Sequence, residues 1–115
     1  MQNRKGDESI EGGFKGLRHA FKMTIRPGTE QEYDRRQRSV YPELLQVFRD
    51  AGVKTYSIFR DGVTLFGYME MDNPEETLRR INLSDINARW QAYMADILLT
   101  SASDASLPEV FHFEL

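Results

Sequence analysis

Leu17, His19, Phe21, Met23 and Ile25 alternate with polar or small residues, so Leu17–Arg26 (LRHAFKMTIR) has the period of a strand buried on one face. Pro27-Gly28 ends it and leads into Thr29–Gly52 (TEQEYDRRQRSVYPELLQVFRDAG). There Tyr33, Val40, Tyr41, Leu44 and Phe48 fall largely on one helical stripe. Thr29 and Glu32 have the spacing of a capping box, and Gly52 supplies a stop. Pro42 interrupts the pattern. It lacks a backbone donor and its ring clashes with the carbonyl near Arg38, which predicts a bend or break between about Gln37 and Pro42.

After Gly52 the period returns to two. Val53–Arg60 (VKTYSIFR) and Val63–Met71 (VTLFGYMEM) flank Asp61-Gly62, a strong hairpin turn, and so should pair antiparallel. Asp72 or Asn73 is placed to cap a short helix, Pro74–Asn82 (PEETLRRIN), with Pro74 at its first position. Ser84 is placed to cap another, in which Ile86, Trp90, Tyr93, Met94, Ile97 and Leu98 keep the helical period. Ser101–Ser106 is a loop of small residues. Leu107–Leu115 reads as a closing strand with Glu109, Phe111, Phe113 and Leu115 on one face.

The order strand, helix, strand, strand, helix, strand predicts one α+β domain over residues 17–115. It is that of a ferredoxin-like β-α-β-β-α-β sandwich, a four-stranded sheet with helices on one face. Several strands carry apolar residues on both sides, so the open face needs a cover. A second subunit is expected there, giving a homodimer. Residues 1–16 mix Gly, Ser, Asn and both signs of charge without an apolar period, and are read as a disordered tail.

Composition narrows the chemistry. The 115 residues suffice for one core without staples, and the absence of cysteine removes disulfides, thiol nucleophiles and zinc knuckles. His19 and His112 have no ligand spacing, so no metal site is expected. A formal charge of -3 leaves no footprint for nucleic acid. No apolar run reaches the length of a membrane span and nothing resembles a signal peptide, so a cytoplasmic protein is expected. Phosphate loop, nucleophile elbow and paired-carboxylate motifs are missing, and no cofactor is implied.

What remains is a pool of amphipathic aromatics: Tyr33, Tyr41, Tyr56, Tyr68, Tyr93 and Trp90, all the tyrosines and the single tryptophan. Such faces stack on the C–H patches of a sugar while their donors bond its hydroxyls, though core packing is the commoner use of any one of them. Arg35 and Arg36 read as an anion site or, more commonly, as a solvated pair. His19 projects from the apolar face of its strand, as a satisfied core histidine or an acid–base group. These residues give a cofactor-free domain with an aromatic-polar pocket and no assigned reaction.

The runs HAFKMTIRPGTEQEYDRR, YPEL, TYSIF, LFGYMEM and RWQAYMADI, in this order from His19 to Ile97, resemble the L-rhamnose mutarotase family. The resemblance implies a small dimeric α+β barrel built from ferredoxin-like subunits. It also implies interconversion of the α and β anomers of a monosaccharide such as L-rhamnose by acid–base ring opening, without a cofactor. The family's sugar-binding tyrosines fall on Tyr33 and Tyr56. Its paired tryptophans fall on Trp90 and Gln91. Its proton-donating histidine falls on Gln37, where an amide cannot take that role. The family's Trp-Pro-Glu-Leu is Tyr41-Pro42-Glu43-Leu44, and its Asn-Pro-rich segment is Ser101-Ala102-Ser103-Asp104. Three readings follow: acid–base work moved to Tyr33, Tyr56 or His19; a pocket retuned for another hydroxylated ligand; or a sugar-binding or interaction protein without catalysis. A cofactor-independent monooxygenase of the same barrel type is an analogy of fold alone.

Overall fold

A computed structural model describes residues 16–100 and 106–115 of the chain. The tail before residue 16 and the substituted segment Ser101–Asp104 lie outside the described residues. Eight elements follow in order: β1 (Leu17–Thr24), α1 (Glu30–Gln37), α2 (Pro42–Ala51), β2 (Val53–Asp61), β3 (Thr64–Met71), α3 (Pro74–Asn82), α4 (Asp85–Met94) and β4 (Ser106–Leu107). The sheet order is β2-β3-β1-β4 with every pairing antiparallel, the ferredoxin-like arrangement. No helix among the described residues is long and apolar enough to cross a membrane.

The strand period sorts the sheet into two faces. Phe21 and Met23 of β1, Tyr56 and Ile58 of β2, and Leu65, Met69 and Met71 of β3 point toward the helices and form the sheet side of the core. Phe21 lies opposite Gly67, and a Cβ at Gly67 would stand 2.2 Å from the Phe21 ring. A glycine there lets the ring lie flat on the sheet and makes it a floor for what lies above. The opposite face carries Phe59 (67 % exposed) and Phe66 (40 % exposed), an open apolar patch.

Pro42 breaks the first crossover where expected. The α1 helix ends at Gln37, α2 restarts with Pro42 at its first position, and Gly52 closes it at φ 101°. In the second crossover Asn73 accepts from the Glu76 N–H, and Ser84 accepts from the Asn87 N–H. The buried Thr77 hydroxyl donates to the Ala51 carbonyl at 2.6 Å and ties α3 to the end of α2.

Three expectations are corrected. Thr29 makes no side-chain cap; its hydroxyl donates to the Arg26 carbonyl at 2.6 Å, while Glu32 is drawn to Arg35 and Arg36 instead of reaching back. The last helix stops at Met94, and Ile97 and Leu98 follow in a turn, with Leu98 bridging Ile25. Most plainly, the closing strand pairs over Ser106–Leu107 only. Residues 108–115 run on without regular structure, with Val110 91 % and Phe111 82 % exposed. Pro108, which has no backbone N–H to give, ends the ladder, yet the chain still runs beside β1, where Arg18 donates to the Glu109 carboxylate at 3.0 and 3.3 Å.

Candidate functional site

Between the sheet and the helices lies a cavity of about 220 Å³. Phe21, Met23, Leu44, Ile81 and Met94 supply much of its apolar wall. The polar part of its lining is His19, Tyr33, Gln37, Tyr56, Asn82, Asn87, Trp90 and Gln91, and none of the described lining residues is Asp, Glu, Lys or Arg. Charged ligands would find no counter-ion here; an uncharged ligand with hydroxyls and C–H patches matches what the wall offers.

Each polar group arrives for a local reason. His19 comes from the inward side of β1, its ring centroid 5.5 Å from that of Phe21. Tyr56 comes from β2 and packs edge-on between Phe48 at 5.4 Å and Phe21 at 6.1 Å. Tyr33 is the buried residue of α1, and Gln37 sits one turn further along, at the helix end freed by the Pro42 break. Trp90 is buried on α4 and meets Tyr41 edge-on at 5.0 Å. Gln91 follows it on the same helix.

Burial pushes the Tyr56 hydroxyl up to about 12, and burial together with Tyr56 and Asp34 pushes Tyr33 above the ordinary phenol range. Both phenols therefore stay protonated at neutral pH and serve as hydrogen-bond donors, not bases. Both residues line the same cavity.

The flanking charges are structural. Arg36 donates to Glu32 at 2.7 Å, to Asp96 at 3.0 Å and to the Tyr93 carbonyl at 2.8 Å, with its guanidinium 4.3 Å above the Tyr93 ring. The two arginines hold the Glu32 carboxyl down at about 2. Arg36 is thus no free anion site: it pins α1 to the turn after α4, while Arg35 is largely solvated and pairs with Glu32 on its own helix. Asp34 and Arg60 pair at 2.7 Å beside an open recess that shares Tyr33, Gln37 and Tyr56 with the cavity.

The structure brings together all six residues singled out from sequence: His19, Tyr33, Gln37, Tyr56, Trp90 and Gln91 line one cavity. It leaves out three tyrosines of the pool. Tyr41 and Tyr93 pack around Trp90, and Tyr68 lies on the opposite face, donating to Glu70 at 2.6 Å. Sequence reasoning missed Asn82 and Asn87. Asn87 was within reach of it, being three residues before Trp90 and four before Gln91 on one helix.

Comparison with known proteins supplies the context. A family model described as L-rhamnose mutarotase matches residues 18–113. The chain is 38% identical over 103 residues to an L-rhamnose mutarotase of Phocaeicola vulgatus, covering 84% of this chain and 98% of that one. It is 36% identical to one of Brucella anthropi, again over 103 residues, covering 84% and 96%. Among solved structures, the L-rhamnose mutarotase of Formosa agariphila superposes with a TM-score of 0.73 at 33% identity, covering 86% of this chain and 100% of that one. A protein of Pseudomonas aeruginosa, at TM-score 0.56 and 16% identity over 77% of this chain and 90% of that one, shares the fold alone.

Proposed function

The chain belongs to the L-rhamnose mutarotase family, and on that premise we propose that it interconverts the anomers of L-rhamnose with His19 as the group that moves the proton. One observation carries the choice of residue. Of the described residues lining the cavity, His19 is the one whose side-chain type exchanges protons between pH 5 and 8. Gln37 stands at the position of the family's proton donor and cannot serve, and the tyrosines are held protonated by burial.

The reaction needs one proton moved from the anomeric hydroxyl to the ring oxygen. The neutral imidazole takes the proton from O1; the C1–O1 double bond forms as the C1–O5 bond breaks. The Tyr33 and Tyr56 hydroxyls donate toward the charge developing on the ring oxygen, and the imidazolium then protonates it. Rotation about C1–C2 presents the other face of the aldehyde, and the same steps run backward to the second anomer. Trp90 and Gln91 form the wall against which the sugar is held. The sugar mutarotates unaided in water, so the barrier to be lowered is modest and positioning plus one acid–base group is sufficient.

The protein acts in the cytoplasm as a homodimer. The open patch at Phe59 and Phe66 and the exposed Phe111 and Phe113 of the last segment support a second copy as their cover. Sedimentation at micromolar concentration would give twice the subunit mass; a monomer would remove that part of the reading. For the activity, saturation transfer between the two anomeric proton signals of L-rhamnose should quicken with protein over buffer and heat-killed controls. Unchanged exchange with folded protein favours the second reading, a sugar binder without turnover, which the amide at Gln37 supports.

A further inference from the structure

The proton chemistry and the Trp90–Gln91 wall leave the lining at the end of α3 and the start of α4 without a task. Asn82 ends α3, and Asn87 lies one turn into α4, so the gap between those helices sets two carboxamides on the wall formed by the second crossover. Asn87 is engaged through its backbone N–H, which donates to the Ser84 hydroxyl at 3.2 Å. Asn82 is exposed and Asn87 half-buried, and among the described residues neither carboxamide is spent on a protein partner. Gln91 adds a third amide, four residues and about 6 Å along the helix from Asn87.

A carboxamide presents an acceptor oxygen and two N–H donors, which suits a sugar hydroxyl because a hydroxyl both donates and accepts. Amides drawn from the end of α3 and the start of α4 can each pair with a different hydroxyl of one pyranose ring. The apolar neighbours Leu78 and Ile81 on the same lining offer a surface against which a sugar methyl packs. We infer that Asn82 and Asn87 are the specificity-determining residues of this pocket, reading the non-reacting hydroxyls of an uncharged 6-deoxy sugar while His19, Tyr33 and Tyr56 handle the anomeric centre. The inference rests on the sugar-pocket reading above, yet it concerns binding and not proton transfer.

The test compares the parent protein with Asn87→Ala, Asn82→Ala and Asn87→Ser in two assays. The first is anomer exchange on L-rhamnose and on its 3-deoxy and 4-deoxy analogues; the second is calorimetric binding of the same sugars. Thermal unfolding of each variant serves as the folding control. Loss of one amide contact should raise KM and Kd for L-rhamnose about threefold to tenfold, with kcat within about twofold. It should also shrink the preference for L-rhamnose over one deoxy analogue by a similar factor, because that analogue already lacks the partner. Asn87→Ser should recover part of both losses. A purely structural role would lower thermal stability and kcat without changing the ranking of the sugars.

The outcomes separate the two readings. Binding weakened by Asn87→Ala in a protein that never accelerates exchange supports this inference and removes the catalytic one. Exchange by the parent with unchanged KM and unchanged sugar ranking in both alanine variants overturns this inference and leaves catalysis standing. Failure of the parent to bind or turn over any sugar of the panel overturns both.

Discussion

Two crossovers close over one sheet, each as a helix broken in two, and each break delivers a carboxamide to the cavity. In the first, between α1 and α2, the break is imposed by Pro42, lacks a side-chain cap and ends on Gln37. In the second, between α3 and α4, the break is made by capping, with Ser84 accepting from the Asn87 N–H, and α3 ends on Asn82. What holds them differs too. The first is clamped from outside by Arg36 to Glu32 and Asp96 and by Arg60 to Asp34, whereas the second is tied by caps and by the buried Thr77 hydroxyl. The first stands with the two protonated phenols at the cavity; the second offers amides. Broken helices are a way to bring short polar side chains to a cavity without burying an unsatisfied helix end, and in the proposed reading one break serves chemistry and the other recognition.

The sharpest way to break this division is at His19. His19→Ala should lower kcat on the order of a hundredfold, as removal of a general acid–base group does, while KM moves by less than about threefold. An equal loss in both parameters would mean that the imidazole serves binding. Gln37→His comes next. An imidazole restored at the first break should raise kcat about tenfold and widen the pH range of activity, measured as exchange rate against pH. No gain would show that His19 already does all the proton transfer.

Stability effects are smaller. Ser84→Ala should cost about 1 kcal/mol in urea unfolding, the worth of a lost cap. Thr29→Ala should cost less than half as much, because the Thr29 hydroxyl bonds the preceding turn and does not cap its helix. Equal losses would erase the contrast between the two crossovers. The acid response is the mildest test. Glu32 is held at about 2 by Arg35 and Arg36, below the ordinary carboxyl value of 4.5. Its contribution is therefore complete above about 4.5 and lost as pH falls toward about 2. Glu32→Gln should flatten the fall in melting temperature across that window, and an unchanged slope would place the acid sensitivity elsewhere.

The fold was largely legible because its signals are local. Alternation marked β1, β2 and β3, Pro42 marked the break, and Asn73, Pro74 and Ser84 marked the helix starts to within a residue or two. Two local signals were outcompeted. The Thr29–Glu32 spacing allows a capping box, but two guanidinium groups one turn ahead bind the carboxylate more strongly than one backbone N–H. The alternation of Glu109, Phe111, Phe113 and Leu115 states a capacity to pair and to bury one face; among the described residues backbone pairing ends at Leu107, before Pro108, and Arg18 holds Glu109 by its side chain alone. In the site, the aromatic and family-like positions were readable, since Tyr33, Tyr56 and Trp90 keep recognisable surroundings. Asn82 and Asn87 were not singled out because an amide on an amphipathic helix looks like surface. Only the packing of α3 and α4 over the sheet places the exposed Asn82 and the half-buried Asn87 at the cavity lining.

The central claim is that proton transfer and sugar recognition are carried by different residues of one cavity. It is tested most directly by saturation-transfer rates against L-rhamnose concentration for the parent, His19→Ala and Asn87→Ala. The account predicts a fall in kcat at nearly constant KM for the first variant and a rise in KM at nearly constant kcat for the second. The same pattern of change in both variants would contradict it.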